Sequence, residues 1–522
     1  MYRRPDLPTG HGEVLTLPPY DQWRSLAEEN ARRLAEWDAV VGGVPVAELR
    51  REARAGEIAA AKAFSARIGV KVADPPLDPP LLAMSGHQPE LYHTGIWVKA
   101  FLLQRFAEET GAAAIDLVVD SDSFDSVAVT APCRQPEIGR CRQYLAVGEA
   151  DTCFACSPVP SERDIRLFCE SGTSMLATLP APAILRHFRE FCAALDTARP
   201  GAKDIAELLT FARRRYEAPA GTDYLELPVT TMAKTEPFLR FVAHVLFDAE
   251  AFRECYNGSL DAFRRSTGTR SPAQPFPDLE AADGRIEAPF WLVDAERRRQ
   301  LWVRVDGGSV ELLADDFSMS LPADIDAATA ALRDSPQIIA PKAVTLTMFQ
   351  RLFVADLFIH GVGGARYDAV TDEVIRRYFG IEPPRFTVAS MTMYLPIGAH
   401  VITDEEVERA ETRLKRLEHN PDEFLGDVDF ESSAERDAAQ RLADEKASLV
   451  AAIAKPDADK KTLGKRIREV NAQMAAIMEP LAQEMRHQVE SLQAQRKASD
   501  IFTDRTYPYC YWSPLEIADK VR

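Results

Sequence analysis

The stretch MSGHQPELYHTGIWVKAFLLQRFAEETGAAAIDLVVDSDSFDSV, residues 84–127, decides the fold class of this chain. It opens with a Gly/His/Gln/Pro turn that leads through His93-Thr94-Gly95 into an apolar run with helical spacing, residues 96–106. A polar break and a short apolar strand, residues 115–119, follow, and the strand runs into a cluster of aspartates. Turn, helix, strand and polar cluster in this order are typical of an α/β domain that holds a ligand at the carboxyl ends of its strands.

Length and net charge limit the number of domains and the kinds of partner that this chain can have. A chain of 522 residues predicts roughly two to four compact units. The formal net charge of −18 argues against nucleic acid or an anionic membrane as partner, so small-molecule substrates are the expected ligands. The N-terminus has no apolar export signal, and no apolar window reaches the length of about eighteen residues that a membrane span needs. The predicted location is therefore the cytoplasm, where the eight cysteines are expected to be reduced thiols.

Half of the cysteines lie close together, at positions 133, 141, 153 and 156. The Cys153-Phe-Ala-Cys156 spacing is that of a zinc knuckle or of a redox pair, whereas Cys133 and Cys141 are eight residues apart, which is loose for a second zinc pair. Ordinary buried thiols are the favoured interpretation. Structural zinc and a redox pair remain open.

Changes in composition divide the chain into segments. A proline-rich link at 74–80 ends an N-terminal part with helical patterning at 20–37 and 46–68. Alternating strands with a hairpin turn at Asp306-Gly307-Gly308 indicate a small β-meander. The predicted segments are an N-terminal helical segment (1–80), an α/β core (81–400) with a helical insertion (about 150–275) and the β-meander (about 285–315), a helical hairpin (401–498), and an aromatic tail that packs on the core (499–522).

The helical hairpin has the pattern of an antiparallel coiled coil. Its second half carries apolar residues at alternating spacings of four and three, which is a heptad seam: Leu463, Ile467, Val470, Met474, Ile477 and Leu481. Pro480 is expected to kink this helix, and residues 455–459 form a plausible tip between the two helices. A hairpin folded on itself and a homodimer through the coiled coil both stay open.

The turn at 86–95 and the aspartates after the strand form the first group of candidate site residues. A helix N-terminus with a glycine accepts phosphate, and the imidazoles of His87 and His93 can donate to developing negative charge. Lys99, on the first turns of the helix, reaches an anion or extends along the surface. The carboxylates at 120, 122 and 125 suit an amine, a hydroxyl or Mg²⁺, and helix capping is the structural alternative for them.

A second group begins at His360, after the apolar residues 357–359. Gly361, Gly363 and Gly364 lie between this strand and a helix, which predicts a turn that cradles an anion. Arg366 can grip a carboxylate or phosphate with two hydrogen bonds, and Tyr367 and Asp368 are weaker candidates. The glycine spacing is not the dinucleotide fingerprint, and no P-loop, nucleophile elbow or His-Glu-x-x-His zinc helix is present in the sequence.

These blocks together resemble the cysteine-adding enzyme family of bacillithiol biosynthesis. The likeness rests on Gly86-His-Gln88-Pro-Glu-Leu91-Tyr-His-Thr94-Gly95, on the segment 118–127, and on Ser335-Pro336 followed by the glycine turn at 361–367. It covers residue 81 to the end, block by block. His87 stands where the family has Gln, Asp122 where it has His, and Arg366 where it tends to Glu.

The resemblance implies a Rossmann-like core, a dimerising coiled coil, and ATP with Mg²⁺ as cofactors. The function it implies is an ATP-dependent ligase that joins an amino acid, cysteine in the family, to an amine-bearing acceptor of the glucosaminyl-malate type. A non-catalytic coiled-coil scaffold and a metal-dependent hydrolase are the alternatives. The predicted catalytic residues are His87, His93, Asp120 and Asp125. The predicted substrate- and nucleotide-binding residues, with no metal ligand among them, are Gln88, Thr94, Gly95, Asp122, Gly361, Gly363, Gly364, Arg366 and Tyr367.

Overall fold

The computed structural model of this protein describes residues 5–135, 137–271, 276–306, 308–397 and 402–522. They belong to two compact units. The first comprises Met1–Cys133, Cys141–Leu395 and Arg505–Arg522, and the second comprises Arg134–Arg140 and Pro396–Asp504.

The strands of the described residues are mostly short. In chain order they are β1 (Glu13–Leu17), β2 (Val40–Val41), β3 (Val44–Pro45), β4 (Leu82–His87), β5 (Ala113–Val118), β6 (Ser126–Gln135), β7 (Glu137–Val147), β8 (Leu225–Pro228), β9 (Ala281–Ala282), β10 (Arg285–Val293), β11 (Arg298–Asp306), β12 (Ser309–Ala314), β13 (Phe317–Leu321), β14 (Ile338–Pro341), β15 (Leu357–His360) and β16 (Thr387–Thr392).

The helices separate most of these strands. They are α1 (Trp23–Ala35), α2 (Val46–Ser65), α3 (Thr94–Thr110), α4 (Glu162–Leu176), α5 (Pro182–Ala198), α6 (Ile205–Glu217), α7 (Val229–Met232), α8 (Glu236–Phe247), α9 (Ala249–Thr267), α10 (Ile325–Asp334), α11 (Ala343–Phe349), α12 (Val362–Val374), α13 (Asp404–His419), α14 (Ser433–Ile453), α15 (Lys460–Ile477), α16 (Glu479–Phe502) and α17 (Pro514–Val521). Helices α11 and α12 continue as π-helical turns at Gln350–Val354 and Ile375–Phe379.

The main sheet of the first unit has the strand order β1-β16-β15-β4-β5-β8. Neighbours from β16 to β8 run parallel, and β1 lies antiparallel on the edge against β16. Counted in chain order, the parallel strands are arranged 3-2-1-4-5 across the sheet. The direction of winding therefore reverses between β4 and β15, the position at which open α/β sheets leave a crevice at their carboxyl ends.

Helices cover both faces of this sheet, which is why its central strands are largely apolar and buried. All of β5 is buried. Leu82 and Met84 of β4 pack in one core with Val370 and Val374 of α12. Helix α3 packs on β4, β5 and β16 with a different set of side chains, in which Trp97 stacks on Tyr216. The predicted α/β class is confirmed at this level.

The strand-rich region forms a second, antiparallel sheet that is larger than the predicted meander. Its order is β13-β12-β11-β10-β14, with β9 beside β10. The predicted hairpin is present, since Asp306 pairs with Ser309, although Gly307 lies outside the described residues. Strands β13 and β14 lie beyond the predicted boundary at 315, and β14 joins this sheet rather than the parallel one.

Two predicted segments contain a strand that the sequence did not predict, for the same physical reason. The N-terminal segment contains the predicted helices α1 and α2, but β1 precedes them and pairs along its length with β16. The predicted helical insertion contains β8, which completes the parallel sheet beside β5. Neither strand has a local signal strong enough to be recognised, because pairing with distant residues, rather than propensity, stabilises it.

The second unit is helical, as the composition predicts. Helices α14 and α15 pack side by side, and Arg466 Nε of α15 donates to Glu445 Oε1 of α14 at 2.7 Å. The predicted tip falls between them, with Asp459 capping α15. Pro480 lies in the first turn of α16, so the chain changes helix where the kink is expected. Val470 and Met474 of the predicted seam are buried within the chain itself.

The aromatic tail belongs to the first unit from Arg505 onward. Tyr507, Tyr509, Tyr511 and Trp512 are buried, and the Tyr509 N–H donates to the Tyr92 carbonyl at 2.7 Å. None of the helices in the described part of the chain combines the length and apolar character that crossing a membrane requires.

Candidate functional site

The two predicted glycine turns leave neighbouring strands at the point where the winding of the sheet reverses. Strands β4 and β15 pair in parallel, with Ser85 opposite Ile359. His87 therefore ends one strand and His360 ends the next, at the same edge of the sheet. Gly86 is required by this packing, because a Cβ there would lie 2.9 Å from Leu117 Cβ on β5.

The residues of the first turn mainly form the N-terminus of helix α3. His93 is its N-cap residue, and its Nδ1 accepts a hydrogen bond from the Gly95 N–H at 3.0 Å. The space above Gly95 is filled by the Arg505 guanidinium, which would lie 2.3 Å from a Cβ at that position. Thr94 is fully buried. These contacts favour a structural role for His93, Thr94 and Gly95, and their predicted roles in binding and catalysis stay untested predictions.

His87 lines a small cavity at the carboxyl ends of β4 and β5. The cavity has a volume of about 10 Å³, which is room for one water molecule. The other polar groups that line it include Tyr92, Thr210 and Arg213. Burial, helped by the nearby Lys99, lowers the pKa of His87 to about 3, so this imidazole is neutral at pH 7. It cannot offer the positive charge that a phosphate prefers.

The three predicted aspartates have different surroundings. Asp120 is buried and accepts hydrogen bonds from the N–H and the hydroxyl of Thr230, so it ties the end of β5 to helix α7. Burial raises its pKa to about 6. Asp122 accepts from Gln88 Nε2 at 2.8 Å and pairs with Arg298, whereas Asp125 is exposed. The geometry gives Asp120 a structural contact with the first turn of α7 and links Gln88 to Asp122, and the predicted site roles of the three aspartates stay untested predictions.

A buried ionic network that the sequence did not indicate lies beside the cavity. Arg213 Nη2 donates to Glu226 at 2.7 Å and to Asp116 at 3.3 Å, and its Nη1 lies 3.4 Å from Glu217. Tyr224 also accepts from Arg213, at 2.8 Å. The run of three arginines at 213–215 in an otherwise apolar helix was the available signal. A helix that is buried all round, as α6 is, cannot leave such residues in solvent.

The second turn differs from the first because its helix N-terminus is open. Gly361 is the N-cap of α12, and Gly363 and Gly364 are exposed. A Cβ at Gly363 would meet no atom within 4 Å. Within the described residues, Arg366 forms no hydrogen bond or ion pair, so its guanidinium is available to an anion. Tyr367 packs against the ring of Phe276.

His360 at the base of this turn belongs to a buried His–Asp–Arg cluster. Its Nε2 lies 2.9 Å from Asp368 Oδ2, to which Arg351 Nη1 also donates at 2.6 Å. Thr347 donates to the other oxygen of Asp368 at 2.7 Å. Burial alone would raise the pKa of Asp368, but the Arg351 guanidinium and His360 hold it well below its usual range. A histidine at the end of an apolar strand, with an aspartate two helical turns later, was the signal in the sequence.

The clustered cysteines correct the prediction of reduced thiols. Cys133 is bonded to Cys141, and Cys153 is bonded to Cys156. The remaining cysteines, Cys169, Cys192, Cys255 and Cys510, are free. Each pair forms its own disulfide, Cys133–Cys141 between the paired strands β6 and β7, and Cys153–Cys156 within one short segment. Across the described ranges no group of three or more His, Cys, Asp or Glu side chains converges as a metal site would require, so zinc and a metal-dependent hydrolase lack a ligand set there.

Comparison with known proteins adds no family. No protein-family model matches the chain, and no curated protein shows significant similarity to it. The geometry of the site is therefore the basis for any functional conclusion.

Proposed function

We propose that this protein is a nucleotide-dependent ligase that joins an amino acid to a small amine-bearing acceptor. The observation that carries the proposal is the reversal of winding between β4 and β15, together with the open N-terminus of α12 at that crevice. Parallel sheets with the 3-2-1-4-5 order are Rossmann-like, and they bind nucleotides where the order reverses. Ligation of a carboxylate to an amine needs such a nucleotide, because the carboxylate must first be activated as an acyl phosphate or acyl adenylate.

The residues around α12 fit a triphosphate. The free N–H groups of its first turn and the positive end of its dipole favour an anion. Gly363 and Gly364 let a phosphate approach the backbone, and Arg366 lies one turn along on the exposed side. Mg²⁺ would come with the phosphates and need few protein carboxylates, as is usual for this ion.

The resemblance to the cysteine-adding family supports the finer part of the proposal. It favours cysteine as the amino acid and a glucosaminyl-malate-like molecule as the acceptor. The acidic loop around Asp122 follows β5, on the other side of β4 from α12, and we assign acceptor recognition to this loop, since the cavity beside His87 has room for one water molecule only.

Calorimetric titration with Mg²⁺–ATP tests the proposal. The expected result is saturable binding to the unmodified protein, and at least tenfold weaker binding to Gly363→Glu and Arg366→Met. The added carboxylate in Gly363→Glu meets open space, so the helix keeps its fold, and a negative charge at a helix N-terminus is itself favourable. It nevertheless repels the phosphates that would bind there.

Gly426→Glu is the matched control, because Gly426 also has open space around it and lies in the helical unit. Its affinity should equal that of the unmodified protein. Equal weakening by both substitutions would contradict the site at α12, and no binding at millimolar nucleotide would end the proposal.

The absence of nucleotide binding would favour the scaffold alternative, for which the helical unit offers two observations. This unit has its own apolar core, formed by Leu417, Phe424, Met478, Ala482 and Met485. It also presents a charged groove of about 690 Å³ along α13. Val470 and Met474 of the predicted seam are buried within the chain, and both a hairpin folded on itself and a homodimer through the coiled coil stay open.

A further inference from the structure

We infer that His360 is the proton acceptor of the reaction and that Asp368 is its positioning residue. The inference rests on the proposed function for the identity of the substrates. Its structural basis does not depend on the substrates. It consists of the contact between His360 Nε2 and Asp368 and of the absence, among the described residues, of a donor to Nδ1.

The contacts of His360 fix which ring nitrogen carries the proton. Asp368 stays ionised because Arg351 and Thr347 both donate to it. A carboxylate can only accept, so the Nε2 that lies 2.9 Å away must be the protonated nitrogen. Phe358 and Phe386 hold the ring from two sides, with centroids at 4.6 and 4.9 Å. In its neutral form the imidazole therefore has its lone pair on Nδ1.

The Nδ1 atom points toward the turn that we assign to phosphate. Among the described residues nothing donates to it, although the side chain is only 7% exposed. A Cβ on Gly364 would lie 3.2 Å from this nitrogen. The glycine at 364 thus keeps the space in front of the lone pair free, next to exposed backbone at the helix N-terminus. A base held by a carboxylate and set beside an anion-binding turn is the arrangement that acyl transfer uses.

The step assigned to His360 is the attack of the acceptor amine on the activated acyl group. The amine nitrogen forms a bond to the acyl carbon while the bond from that carbon to the phosphate oxygen breaks, and the electron pair leaves on that oxygen. The proton lost by the amine passes to His360 Nδ1 and afterwards to the released phosphate. The nucleoside triphosphate that activates the carboxylate is the only co-reactant that this balance requires.

The tautomer can be measured without any substrate. The chain has nine histidines, so ¹⁵N-histidine labelling with His360→Gln for assignment resolves this side chain by nitrogen NMR. At pH 8 we expect Nε2 protonated and Nδ1 unprotonated in the unmodified protein, and a mixture of tautomers in Asp368→Asn. An Nδ1–H tautomer in the unmodified protein would overturn the inference, whatever the protein binds.

Accessibility of Nδ1 is tested by diethyl pyrocarbonate labelling, with His360 followed by peptide mass spectrometry. Gly364→Ala should slow labelling several-fold because its methyl group faces Nδ1, whereas Gly363→Ala should not change it. Both variants alter helix propensity equally, so equal rates in the two would contradict the geometry.

Once a product is identified, His360→Gln should lower its rate of formation by about 10²- to 10⁴-fold, the usual contribution of a general base. Its Mg²⁺–ATP affinity should be retained. If His360→Gln binds Mg²⁺–ATP and forms product at an unchanged rate, the role of His360 is refuted and the proposed function stands. If the unmodified protein does not bind Mg²⁺–ATP, the proposed function is refuted, and the NMR measurement still tests the tautomer of His360.

Discussion

Replacement of Glu57 by glutamine is expected to stabilise the protein by several kcal/mol at pH 8.5 and hardly at all at pH 4.5. Glu57 is completely buried on α2, and its only hydrogen-bond partner in the described chain is Gln350 Nε2 at 2.9 Å. Burial raises its pKa from 4.5 to about 8. In the folded state the side chain is therefore a neutral acid at pH 7, whereas in the unfolded chain it is ionised.

The sign of the pH effect follows from these two states. Between pH 4.5 and 8 the folded state binds one more proton at Glu57 than the unfolded state does, so stability is lost as the pH rises through this window. The shift corresponds to roughly 5 kcal/mol at most, and relaxation of the buried site reduces this to about 3–5 kcal/mol. Glutamine is uncharged at every pH, so the variant does not lose stability at this position as the pH rises.

Urea unfolding midpoints at pH 4.5 and pH 8.5 measure this difference. Glu48→Gln is the matched control, because Glu48 lies on the same helix and its side chain is 45% exposed. We expect Glu57→Gln, but not Glu48→Gln, to flatten the pH dependence of the midpoint. A parallel shift of the two variants at both pH values would show that Glu57 is not buried as a neutral acid.

Arg213→Met is expected to cost about 3–5 kcal/mol of stability, the typical result of removing one partner from a buried ionic pair. Methionine fills much of the volume of the arginine stem, so the loss is electrostatic. Asp116, Glu217 and Glu226 would be left buried without the guanidinium that Arg213 places among them. Arg214 can compensate only in part, because its contacts are with Glu217 and Glu226.

Arg215→Met on the same helix is the control for Arg213→Met. Arg215 donates to the carbonyls of Ile68 and Thr197 and has no carboxylate partner among the described residues. Its replacement should cost about 1 kcal/mol, the contribution of ordinary hydrogen bonds. Thermal unfolding of both variants, followed by circular dichroism, gives the comparison. Equal losses would mean that the ionic network does not stabilise the fold.

Local signals explain how much of the fold could be predicted from the sequence. The units β4-α3-β5 and β15-α12 were recognised because their turns, glycines and apolar periods are contiguous. Gly111 and Gly380 end their helices in the left-handed conformation, with φ of 71° and 67°, which glycine adopts without strain. Strands β1, β8 and β14 were missed or misassigned, since only pairing with distant strands identifies their sheet.

The same distinction between local signals and long-range contacts applies to the candidate site. The sequence located the turns at 86–95 and 361–367 because glycines and histidines mark them. It could not show that His93 caps α3, or that Arg505, more than four hundred residues away, covers Gly95. It also gave little weight to Asp368, whose importance arises only from its position against His360 and Arg351. Contacts between distant residues, rather than residue types, show which of the predicted site residues have structural contacts and which form the candidate catalytic group.

Hydrogen–deuterium exchange with and without Mg²⁺–ATP tests the central claim most directly, because it maps where the nucleotide meets the backbone. The central claim is that the crevice between the ends of β4 and β15 binds the nucleotide. We predict slower exchange in residues 360–366 and in 86–93 together, and unchanged exchange in helices α13 to α16. Protection confined to those four helices, or protection of neither turn at saturating nucleotide, would contradict the account.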